Sequence, residues 1–170
     1  VIHLWDYPEL NRIDSIELGQ DGSQDFYFQT KFLPDGQLIF SGFDEDVRFY
    51  NPDDLSQINK QLQTGEQVQS IEVSNDGKYV AVFHKRDEDL QIWDVKSGDL
   101  IGELKWDQDL GMGIRYFKCI AFSPDNKTIA TGMSSGLIAF WDINTLQMIG
   151  NPVIGLDADL VDLEFSHDGK

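Results

Sequence analysis

The chain has 170 residues, 30 of them acidic and 13 basic, which gives a formal net charge of −17 and a pI near 4.2. That balance argues against docking on nucleic-acid phosphates, which takes clustered Lys and Arg, and against anionic membrane surfaces. A single cysteine, Cys119, cannot close an internal disulfide and points to a reducing, cytoplasmic compartment.

No stretch approaches a membrane span, and Val1 to Leu10 does not resemble a signal peptide. The apolar runs are short and bounded by turn residues, so antiparallel strands are expected throughout. Val1 to Trp5 reads as a strand ended by Tyr7-Pro8, and Arg12 to Leu18 as an alternating outer strand. After a polar loop over 19–25, a set of four strands is expected at Tyr27–Phe32, Leu38–Gly42, Val47–Tyr50 and Gln57–Leu62. A second set follows at Val68–Val73, Tyr79–Phe83, Leu90–Trp93 and Leu100–Leu104. Past a longer loop, Lys105 to Gly113, come Tyr116–Phe122, Thr128–Thr131, Leu137–Trp141 and Met148–Ile154. Leu160 to Phe165 begins a further set, and no linker divides the chain.

The sets repeat one another. The segments FLPDGQLIFSG, VSNDGKYVAVF and FSPDNKTIATG share an aspartate turn between two strands, and FSHDGK begins the same sentence again. The turn aspartates Asp35, Asp76, Asp125 and Asp168 are 41, 49 and 43 residues apart. The third-strand positions Trp5, Tyr50, Trp93 and Trp141 are 45, 43 and 48 apart. Two markers with one period of about 40–45 residues point to a radial array of four-stranded blades.

In these motifs the chain resembles the WD-repeat β-propeller family, over essentially its whole length. The resemblance implies an all-β fold: residues 1–170 as one propeller segment of about four four-stranded antiparallel blades, incomplete at both ends and part of a larger propeller. A second reading is closure: the chain opens with the two outer strands of a blade and ends with the inner strands of one, so the ends could complete one blade within a chain or between chains, against which the final strand stops at Lys170. In the family, a His, a strand Ser or Thr, a turn Asp and the Trp form a hydrogen-bonded set. The resemblance gives the turn Asp to Asp44 and Asp87, with Ser135 in the third complete repeat. It gives the strand hydroxyl to Ser41 and Thr131, with Val82 between them. The family's Gly-His pair is absent: Gly22-Ser23, Thr64-Gly65 and Gly155-Leu156 stand in its place. No blade is expected to form the complete polar set.

The inner-strand positions Tyr27, Thr30, Phe32, Val68, Ile71, Val73, Phe117, Ile120, Phe122, Leu160, Leu163 and Phe165 are expected to form core between blades. Trp5, Trp93 and Trp141 are expected as buried wedges, and His3, His84 and His167 at the surface or an edge. In an up-and-down blade, alternate connections lie on opposite faces. One face then collects Asp21, Asp25, Asp44, Glu45, Asp46, Glu66, Asp87, Glu88, Asp89, Asp107, Asp109, Asp157 and Asp159, opposed mainly by Lys85, Arg86 and Arg115. The other face carries Lys78, Lys96, Lys127 and Lys170 among acids such as Asp53 and Asp54. The acidic loops are read either as a solvated rim, since Asp suits turns, or as an anionic surface that steers a basic protein or peptide. Phe43, Trp106, Met112 and Met133 interrupt those loops. They are read either as interface anchors, with Trp106 the first to test, or as cover for the channel mouth and the neighbouring blade.

The histidines have no metal spacing, and neither carboxylate cluster, Phe43–Asp46 nor Arg86–Asp89, has the spacing of a calcium loop. There is no nucleophile elbow and no nucleotide loop, so no cofactor, metal or catalytic residue is expected. The expected function is a non-catalytic protein-interaction scaffold. One alternative is a sensor or regulatory propeller working with other domains of the same chain. Ile149 to Val153 with Gly155 resembles inter-repeat segments of such proteins. A second alternative is an enzyme using channel carboxylates, with Asp44 and Asp87 the repeated candidates.

Overall fold

The computed structural model of the chain describes residues 2–5, 8–16, 29–41, 46–84, 89–106, 117–134, 136–154, 158 and 160–169. Among these residues every regular element is a strand. β1 (Ile2–Trp5) pairs with β2 (Arg12–Ile16) as a leading two-stranded sheet. β3 (Gln29–Phe32), β4 (Leu38–Ser41), β5 (Asp46–Tyr50) and β6 (Gln57–Gln63) form a first blade. β7 (Val68–Val73), β8 (Tyr79–His84), β9 (Asp89–Asp94) and β10 (Leu100–Lys105) form a second. β11 (Phe117–Phe122), β12 (Thr128–Met133), β13 (Leu137–Asp142) and β14 (Val153–Ile154) form a third. Within every sheet, strands consecutive in sequence are antiparallel neighbours.

Two expected strands are shortened or missing. The outer strand expected over Met148–Ile154 survives as the two residues of β14 and a single bridge between Met148 and Trp141. Gly150, with φ at 69°, and Pro152 break the ladder between them. Leu160–Phe165 is not a strand. It lies against the third blade through Leu160 N–H, which donates to the Met133 carbonyl, and through Phe165, whose ring centroid is 6.4 Å from that of Phe140. In each blade the inner strand pairs with the strand that follows its turn. Here the turn forms, with Gly169 N–H donating to the Ser166 carbonyl.

The turn after each inner strand sets the register of its blade. In the second blade the Ser74 hydroxyl donates to Asp76 and accepts the N–H of Tyr79, and in the third Ser123 does the same with Asp125 and Thr128. The first blade has Leu33 in that place. With no hydroxyl to hold the longer turn, it closes one residue earlier, through Leu33 N–H donating to the Gln37 carbonyl. Leu38 therefore stands opposite Tyr50 as Val80 stands opposite Trp93 and Ile129 opposite Trp141. This corrects one expectation. Phe40, opposite Arg48, holds the place of Thr131 and Val82, so Ser41 is not the strand hydroxyl of its blade. Its Oγ is buried with no hydrogen-bond partner among the described residues.

Because side chains alternate across each sheet, the second blade packs on both neighbours. Val80, Val82 and Trp93 of the second blade meet Ile39, Phe49 and Leu62 of the first. Ala81, Phe83, Leu90, Ile92 and Leu104 turn the other way and meet Phe117, Ile120, Ile129 and Trp141 of the third. Leu38, Phe40, Tyr50 and Leu55 meet Leu4 of the leading pair. Each fully buried large aliphatic or aromatic side chain adds about 1.5–3 kcal/mol. Trp93 and Trp141 are wedges as expected, whereas Trp5 is 56% exposed and Phe32 59%. Thr30 and Phe32 point the way Ile71 and Ile120 do, toward the preceding sheet. Among the described residues that sheet has only its outer two strands, so nothing covers them. Val73, Leu160, Leu163 and Phe165 are half-buried, and Tyr27 lies outside the described residues. His84, expected at the surface or an edge, ends β8 and is buried, at 2% exposure.

Candidate interaction face

Strand order fixes where the connections emerge. The turns over 33–37, 51–56, 74–79, 94–99, 123–128 and 142–147 leave one end of the blades. The connections β4 to β5, β8 to β9 and β12 to β13, and those between blades, leave the other.

At the turn end, the acids are committed to local structure. The Ser56 hydroxyl and N–H hold Asp54 below its ordinary value. Burial pulls Asp76 upward, but bonds from Lys78 and from the Ser74 hydroxyl outweigh it and lower the carboxyl. The Ser97 N–H lowers Asp94, the Ser123 hydroxyl lowers Asp125, and the Thr145 N–H lowers Asp142. Lys78 reaches Asp76 at 2.8 Å and Lys127 reaches Asp125 at 3.9 Å. These carboxylates close turns.

The sequence-predicted site residues belong to the opposite end. Phe43, Asp44, Glu45, Asp87 and Glu88 lie outside the described residues, and so does the side chain of Asp89. The same holds for Asp21, Asp25, Lys85, Arg86, Asp107, Asp109, Met112, Arg115, Ser135, Asp157 and Asp159. Asp46 opens β5 opposite Gln63 and is half-buried, and Glu66 is exposed. The apolar candidates need a correction. Trp106 is 7% exposed and Met133 1%, both within the core between the second and third blades. Of the two readings for Trp106, packing on the neighbouring blade is the one realised. Its indole Nε1 has no hydrogen-bond partner among the described residues.

The polar sets are partial and differ between blades. Trp141 Nε1 donates to Thr131 Oγ1 at 2.9 Å, both groups being buried. In the second blade Val82 has no hydroxyl, and Trp93 Nε1 donates instead to Gln91 Oε1 at 3.0 Å. Gln91 follows from no motif, although it sits opposite the Val82 backbone and two residues before Trp93.

The inner strands and the turns that follow them also carry a polar network between neighbouring blades that the repeat pattern did not single out. Gln29 Oε1 accepts from Ser70 Oγ at 2.9 Å and from Ile71 N–H at 3.0 Å, across two blades. Lys31 Nζ lies 2.6 Å from Glu72 Oε2. Asn75 N–H donates to Asn126 Oδ1 at 2.7 Å, and its side-chain amide donates to the Ser123 carbonyl at 3.0 Å, which ties the next two blades. The only signal in sequence was alternation: Gln29, Lys31, Ser70 and Glu72 interleave with the apolar inner-strand positions. On the outer rim Leu100, Ile101, Ile149, Val153 and Ile154 are exposed. Among the described residues no group of three His, Cys, Asp or Glu is placed to hold a metal ion.

Residues 115–142, which span β11 to β13, match the family model "WD domain, G-beta repeat". Over 83 residues the chain is 30% identical to WD repeat and SOCS box-containing protein 1 of Danio rerio. That stretch is 48% of this chain and 18% of the relative's length. The match at 115–142 falls on the blade with the best-formed Trp–Thr pair, and two more blades repeat its strand order and facing. These matches support a WD-repeat family for the chain, and its four-stranded antiparallel sheets are consistent with part of a β-propeller.

Proposed function

We propose that the chain is a non-catalytic interaction scaffold whose acidic connections, gathered at one end of the blades, steer a basic protein or peptide. The observation that carries this reading is the acid-rich sequence of those connections, set beside turn-end acids that are committed to local hydrogen bonds. At the turn end Asp54, Asp76, Asp94, Asp125 and Asp142 are tied into turns by local hydrogen bonds. The connections at the other end hold Asp44, Glu45, Asp46, Asp87, Glu88 and Asp89 with only Lys85 and Arg86 beside them, a density that turn closure does not require. The WD-repeat architecture supports a scaffold role, although a fold by itself sets no partner. The relative's name joins WD repeats to a SOCS box. That supports a second reading, in which the propeller serves as the recognition or regulatory part of a longer protein. A reducing, cytoplasmic setting is proposed on the ground that Cys119, the single cysteine of the chain, cannot close an internal disulfide.

Exposed charges act mainly on association rate and are screened over about 10 Å at 0.1 M salt. Stopped-flow binding of an oligolysine peptide tests the reading. Asp44→Asn with Asp46→Asn slows association and flattens its salt dependence, while Lys78→Gln at the turn end changes neither. Loss of binding in the Lys78 variant, with the acidic variants unaffected, places the partner at the turn end and ends the proposal.

A further inference from the structure

We draw no further inference here: the strongest candidate, the cavity of about 210 Å³ between the inner strands lined by Lys31, Glu72, Phe122, Asp162, Glu164 and Phe165, rests on a carboxylate cluster whose lysine is already paired with Glu72, and nothing else among the described residues points to a ligand for it.

Discussion

Thr131→Val isolates the one fully buried Trp hydrogen bond. The substitution keeps the shape of the side chain and removes the acceptor that Trp141 Nε1 has among the described residues, 2.9 Å away. Thr131 is 0% exposed and Trp141 2%, so water cannot replace it. A buried donor left without an acceptor costs about 1–3 kcal/mol. With a urea slope of about 2 kcal/mol per M, the midpoint falls by roughly 1 M. Trp141→Phe removes the donor instead, and the double variant closes a cycle in which the packing changes cancel. The coupling energy is expected at about 1–2 kcal/mol. Gln91→Leu makes the matching change in the second blade, where Gln91 is only half-buried. Solvent can then satisfy Trp93, and the loss is smaller. A Thr131→Val protein within about 0.5 kcal/mol of the parent, with no coupling to Trp141→Phe, refutes the reasoning.

Gly132→Ala drives a methyl group into Cys119 Sγ and against Leu160, whose Cδ1 and Cβ lie 3.0 and 3.1 Å from the new carbon. Such overpacking costs about 1–3 kcal/mol in a denaturation curve, and Cys119→Ala in the same protein should recover part of it by making room at the sulfur. Asp54, Asp76, Asp94, Asp125 and Asp142 all have carboxyl pKa values lowered in the folded chain from an ordinary 3.8. Their contribution is therefore complete above the unfolded value and is lost as pH falls through the lower folded values. The urea midpoint should decline below about pH 4, and Asp125→Asn should make that decline shallower. A decline unchanged by Asp125→Asn removes that carboxylate from the acid transition.

Much of the fold was legible because the repeat carries two independent markers. The aspartate turns and the third-strand aromatics located three blades, and the alternation within β8 and β9 says which residues face which neighbour. The sequence could not show that Leu33 would shorten its turn. A one-residue change in turn length is invisible to spacing, yet it moved Ser41 to the other face of its blade and left its hydroxyl without a partner. Trp5 and Trp93 look alike in sequence, but a wedge is buried only where a neighbouring sheet covers it, and that depends on what packs beside it. Trp106 shows the same limit at the candidate site. Its place beside an acidic loop suggested exposure, while its position just after Leu104 at the end of β10 puts it in the core. Gln91 was hidden for a different reason: the acceptor for Trp93 moved from β8 to β9 itself, which no family motif encodes.

The proposed acidic face requires the blades to stack with their inner strands side by side. Lys31 on β3 and Glu72 on β7 test that stacking directly, since their charged groups are 2.6 Å apart and both are partly exposed to reagent. Carbodiimide coupling followed by peptide mass spectrometry should recover a Lys31–Glu72 amide across 41 residues of sequence, and Glu72→Gln should abolish it. Coupling of Lys31 only to carboxylates of its own blade, with no Lys31–Glu72 product, would contradict the stacked arrangement.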